Sequence, residues 1–131
     1  MKSVEECYRG RNVRIFRLDL AGVLARLRER ARDVLDRCPD VVEVRLFGSL
    51  ARGDGHPGSD ADLFIILHDG AGPFLERLAP LVRMFGGVGV GCDVIAFTES
   101  EARASRTRGD GFSRAVFDEG LVLATRQEDD R

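Results

Sequence analysis

Apolar residues recur at helical spacing from Leu20 onward. Leu20, Val23, Leu24, Leu27, Ala31, Val34 and Leu35 fall on one stripe and predict an amphipathic helix. Asp19 stands before the stripe as an N-cap, and Pro39 ends it. The other face, with Arg26, Glu29, Arg30, Asp33 and Arg37, reads as solvated surface. The pattern then changes to strand-like runs. Val41 to Phe47 predicts a first core strand, Asp60 to His68 a second, and residues 88 to 97 a third that is buried. Upstream, the alternation over residues 11 to 17 predicts a short edge strand or an ordered arm.

Between these runs lie turns and further helices. Gly70, Gly72 and Pro73 mark a turn, and Phe74, Leu75, Leu78, Leu81, Val82 and Phe85 predict a covering helix that Pro80 should kink or split. Thr98 with Glu101 forms a capping box for the next helix. Gly109-Asp110-Gly111 interrupts that helix. A last helix is expected around 112 to 118, then an apolar ending at 121 to 124, with the polar residues 126 to 131 frayed. The fold class is therefore α/β in the broad sense (α+β), a small mixed sheet of three or four core strands with packed helices.

The chemistry concentrates in one stretch. Gly48-Ser49 follows the first strand at a helix start, where free backbone N–H groups and the helix dipole favour an anion. A loop with Gly53, Gly55, Gly58 and Pro57 leads to Asp60 and Asp62, whose spacing puts both side chains on one face of a strand. A solvated loop end is the plain alternative, but two like charges entering an apolar run are costly unless a cation lies between them. Asp93, alone among apolar residues 88 to 97, could cap a turn at a strand end. Beside the Asp60/Asp62 strand it would instead complete a three-carboxylate cluster of the oxygen donors that Mg²⁺ prefers. The stretch lacks the ligand pattern of an EF-hand and the Gly-Lys-Ser/Thr of a P-loop.

Gly48, Ser49, Asp60 and Asp62 form Gly-Ser-x10-Asp-x-Asp, and with the flanking Phe47, Ala51, Arg52, Gly53 and Ser59 the chain resembles the minimal nucleotidyltransferases of the DNA polymerase β superfamily. Asp93 matches that family's third carboxylate, and residues 112 to 124 resemble its closing helix and Glu-Gly-apolar ending. The similarity spans residues 18 to 124, departing at Ala124, where many relatives have Tyr. The resemblance implies the polymerase-β-like nucleotidyltransferase fold, ATP as donor, and two Mg²⁺ ions held by Asp60, Asp62 and Asp93, with Asp93 also accepting the proton of the attacking hydroxyl. It further implies that Gly48 and Ser49 hold phosphates, with Ser59 beside them. Arg52 fits either a phosphate contact or a structural ion pair.

Composition narrows the class of protein. The 131 residues predict one domain, with a core at 18 to 124, an N-terminal arm at 1 to 17 and a frayed tail at 125 to 131. Twenty basic and 22 acidic residues give a net charge of −2, which disfavours holding long nucleic acid by bulk electrostatics. Cys7, Cys38 and Cys92 are unclustered, so they indicate neither a disulfide framework nor a zinc site. The absence of a signal-like segment and of any long apolar run predicts a cytoplasmic protein without membrane contact.

The resemblance to minimal members implies an antitoxin that transfers AMP to a tyrosine hydroxyl of a HEPN-domain ribonuclease toxin. Two alternatives are a nucleotidyltransferase acting on an antibiotic or other small molecule as a homo-oligomer, and an antitoxin that blocks its partner by contact alone.

Overall fold

The computed structural model describes residues 3–70 and 74–126. Strands β1 (Val4–Arg9) and β2 (Arg14–Leu18) form an antiparallel hairpin. Helix α1 (Leu20–Arg37), strand β3 (Val41–Phe47), the short helix α2 (Ser49–Arg52) and strand β4 (Ala61–Leu67) follow. Then come α3 (Phe74–Arg83), β5 (Cys92–Thr98), α4 (Glu99–Arg108), α5 (Gly111–Ser113) with its continuing π turn (Arg114–Asp118), and β6 (Leu121–Thr125). The main sheet is mixed, in the order β5-β4-β3-β6, with β4 and β5 parallel and the other neighbours antiparallel.

Each face of this sheet has its own apolar layer. One carries the larger core, where Val44 and Leu46 of β3, Leu63 and Ile65 of β4 and Leu123 of β6 pack against Val23, Leu27, Ala31 and Val34 of α1. The stripe from Leu20 to Leu35 is thus buried as its spacing predicts, and Asp19 caps the helix by accepting from Gly22 N–H at 3.1 Å. The other face carries Phe64 and Ile66, covered by Ala102 of α4, Val116 and the rings of Phe97, Phe112 and Phe117. Phe64 packs edge-on to three of these rings, with centroids 5.0 Å from Phe97, 5.6 Å from Phe117 and 5.9 Å from Phe112. Arg45 and Arg106 both lie over Phe117, at 5.2 and 4.5 Å from its centroid. The capping box of Thr98 and Glu101 holds the start of α4 over this layer.

Several details depart from the sequence reading. The alternation at 11 to 17 belongs to a self-paired hairpin, whose first strand has no clear apolar periodicity; Tyr8, Val13, Ile15 and Phe16 stay exposed. Arg126, expected in a frayed tail, reaches back to donate to the Val41, Cys38 and Leu35 carbonyls. Thr125 still belongs to β6, while 127–131 lie outside the described residues. The turn predicted at Gly72-Pro73 and the side chains of Phe74 and Leu75 also lie outside them.

Pro80 does not split α3, which runs through it to Arg83. Proline removes only the bond to the Glu76 carbonyl, and both residues are exposed, so that carbonyl is open to solvent rather than buried without a donor. The third strand is not buried throughout. It is β5, at the edge of the sheet, where Val94 and Ala96 face the larger core while Asp93 and Ile95 are exposed. Arg26 and Arg30 do more than solvate a surface. Their Nε atoms donate to Val88 O at 2.8 Å and Gly86 O at 3.3 Å, tying α1 to the loop before β5.

Candidate active site

The row of residues across one end of the sheet is set by strand register. Phe47 of β3 is opposite Asp62 of β4, which is opposite Asp93 of β5. Directly opposed residues project from the same face, so Asp62 and Asp93 stand side by side beyond the aromatic layer. The next row inward is Arg45, Phe64 and Ile95. Asp60 lies one residue before β4 rather than within it, and it is exposed like Asp93, whereas Asp62 is half-buried. The predicted strand therefore starts one residue late, and Asp60 reaches the cluster from the end of the 53–59 loop.

The Gly-Ser turn meets the same place. Gly48 has φ 77°, a left-handed conformation that a residue with a side chain rarely adopts. A Cβ there would collide with the Asp62 carboxylate, so the bare backbone at 48 is what allows the acid to stand so close. From Ser49 the chain makes one helical turn, closed by Arg52 N–H to Gly48 O at 3.2 Å and by Gly53 at φ 83°. Arg52 pairs with Asp54 at 3.1 Å, both exposed, and its charge also acts on Asp62. The Ser59 hydroxyl accepts from His56 N–H at 2.9 Å and so closes the loop. His56 and His68 are both exposed, and His68 pairs with Glu99 at 3.1 Å.

Electrostatics records the convergence of the acids. Burial raises the Asp62 pKa above the ordinary carboxylate value, the charges of Asp93 and then Asp60 raise it further, and Arg52 opposes them. Cys92 lies beneath this row, and burial with the charges of Asp60 and Asp93 pushes its thiol up to about 11, so it stays neutral and inert at physiological pH.

The donor set fits Mg²⁺: carboxylate oxygens on adjacent strands, open to solvent on one side. Among the described residues no group of three or more His, Cys, Asp or Glu side chains is placed to hold a metal ion by itself. Mg²⁺ is usually held by one or two carboxylates and completes its shell with water and substrate phosphates.

Ionised Asp62 works against the metal-free fold. Its raised pKa means that folding is disfavoured above the folded-state value, and the penalty is relieved as pH falls through it. Asp62→Asn should therefore stabilise the metal-free protein at pH 7, by no more than about 1 kcal/mol because the group keeps contact with water. Thermal melts at pH 7 and pH 4 check this: the advantage of Asn should shrink at the lower pH.

Two features of the site carry no motif. Gly91, just before β5, accepts from Ala61 N–H at 2.8 Å, and the 86–91 loop is held by Arg26 and Arg30. Neither glycine context nor surface arginines announce such roles in sequence.

Residues 26–116 match the family model described as the nucleotidyltransferase domain. Among solved structures, a protein described as a minimal nucleotidyltransferase is 32% identical, with a TM-score of 0.52 over 75% of this chain and 93% of that one. A nucleotidyltransferase structure from Sulfolobus solfataricus is 23% identical, with a TM-score of 0.60 over 82% and 84% of the two chains. A toxin–antitoxin structure with AMP-PNP is 20% identical, with a TM-score of 0.52 over 86% and 77%. The last two share the fold. A comparison with curated proteins found no match.

Proposed function

The chain belongs to the nucleotidyltransferase domain family, and from that membership we propose that it transfers AMP from ATP to a hydroxyl group of a protein, a tyrosine of a HEPN-domain ribonuclease toxin. The observation that carries the chemistry is the opposed pair Asp62 and Asp93 on adjacent strands, with Asp60 beside them. Asp60 and Asp62 would hold two Mg²⁺ ions, one shared with Asp93. Bound Mg²⁺ would offset phosphate charge and favour in-line attack at the α-phosphorus.

The protein's own groups then divide the work. Backbone N–H groups at Gly48 and Ser49 take phosphate oxygens, with Arg52 adding charge from the same turn. Asp93, exposed on the edge strand, accepts the proton of the acceptor hydroxyl as its oxygen bonds to phosphorus. The α–β phosphoanhydride bond breaks and pyrophosphate leaves.

Two observations favour a protein acceptor. Asp93 and Ile95 lie open on the sheet edge, and the hairpin exposes Tyr8, Val13, Ile15 and Phe16. The hairpin base is close to the site loops: Asp19 N–H bonds Ser3 O at 2.6 Å, and Ser3 lies against Gly89. The likeness to a toxin–antitoxin structure points the same way. No helix of the described residues is long and apolar enough to cross a membrane.

Labelled ATP and Mg²⁺ added to the protein with a HEPN toxin test this reading. The expected result is an AMP adduct on a toxin tyrosine, found by mass spectrometry, and loss of ribonuclease activity. Neutralisation without an adduct would make the protein a binding antitoxin, and label on a small molecule such as an aminoglycoside would replace the protein acceptor.

A further inference from the structure

Ala61 lies between Asp60 and Asp62, and its N–H donates to Gly91 O at 2.8 Å. This bond precedes the β4–β5 ladder, in which Ala61 is opposite Cys92 and Asp62 opposite Asp93. Gly91 thus grips the backbone between two of the acids and leads directly into the strand that carries the third. It also leaves a space that matters. A Cβ on Gly91 would stand 2.8 Å from Asp60 Oδ1 and 3.5 Å from its Cγ. Contacts that close do not persist, so something must move, and the movable object is the Asp60 carboxylate, a short side chain at an exposed loop end. Gly91 itself does not have positive φ, so the backbone would accept alanine without strain.

We infer that Gly91 is a positioning residue for the acid cluster. Its carbonyl fixes the Asp60–Asp62 backbone against β5, and its missing side chain lets the Asp60 carboxylate lie over the strand lead-in. The inference rests on the metal-site reading above, but its geometry can be tested without nucleotide or turnover.

The decisive variant is Gly91→Ala, compared with the parent protein. Carboxyl-carbon NMR of the metal-free proteins should show the Asp60 resonance displaced more than those of Asp19 and Asp110, which lie elsewhere in the fold. The melting temperature should stay within about 2 °C, since a rotating carboxylate absorbs the methyl group. Mn²⁺ titration followed by electron paramagnetic resonance should show affinity reduced by about 10- to 100-fold, the range for losing a group that orients a ligand. An unmoved Asp60 resonance, or unchanged Mn²⁺ affinity in a variant as stable as the parent, overturns the inference. A melting temperature that falls in step with affinity also overturns it, because the glycine would then be structural. A parent that binds no Mn²⁺ refutes the metal-site reading instead, and the Asp60 resonance still decides whether Gly91 sets that side chain.

Discussion

Asp93→Asn is expected to keep Mg·ATP affinity within about threefold of the parent while slowing nucleotidyl transfer by about 100-fold or more. Asp93 is exposed on the edge strand, whereas Asp62 is half-buried beside the Gly48 turn. Asparagine preserves shape and the β4–β5 pairing, so the fold should be unaffected. What it removes is a charge and a proton acceptor. With Asp60 and Asp62 intact, the proposed ligands of the nucleotide's metal remain, so the loss should fall on the chemical step. Single-turnover transfer and equilibrium binding, measured on the same preparation, separate the two. Near-normal transfer would move the third carboxylate elsewhere, with Asp54 the next to test, although its pairing with Arg52 already engages it.

The largest effect on stability should come from Phe64→Ala, about 3–5 kcal/mol. Phe64 is fully buried on β4 and is the ring against which Phe97, Phe112 and Phe117 pack. Removing it leaves a void among rings contributed by β5, the π turn and the residue after Gly111, elements that cannot easily close over it. Phe64→Leu should cost much less, since most of the volume remains. Urea unfolding checks both. The same strand presents Asp62 one step outward on that face, so Phe64→Ala should weaken Mg·ATP binding as well, whereas an equal loss of stability in the α1 layer should not.

What was legible in the sequence follows from where neighbours are local. The α1 stripe, β3, the Gly-Ser turn and the capping box declare themselves because spacing and caps act within a few residues of each other. Asp60, Asp62 and Asp93 could be grouped because acids in apolar runs need a reason. Register between β4 and β5, which sets Asp62 against Asp93, joins segments about thirty residues apart, and only the folded sheet displays it. β5 read as buried because its apolar residues serve two layers, the α1 core through Val94 and Ala96 and the aromatic layer through Phe97; composition alone does not reveal that it has one neighbour. β1 was missed because Val4-Glu5-Glu6-Cys7-Tyr8-Arg9 lacks alternation, a bulge falls at Cys7, and its ion pairs with Arg14 and Arg17 depend on the hairpin. The π turn closes through Glu119 N–H to Arg114 O, a pairing for which residue spacing gives no sign.

The site proposed at Asp60, Asp62 and Asp93 should accept a triphosphate only with a divalent cation, because three clustered carboxylates repel the nucleotide otherwise. Calorimetric titration of ATP, with Mg²⁺ and with excess chelator, tests it most directly. The expected result is saturable binding with Mg²⁺, none with chelator, and none in either condition for the Asp60→Asn, Asp62→Asn double variant. Equal affinity with and without Mg²⁺, or undiminished Mg·ATP binding by the double variant, would contradict it.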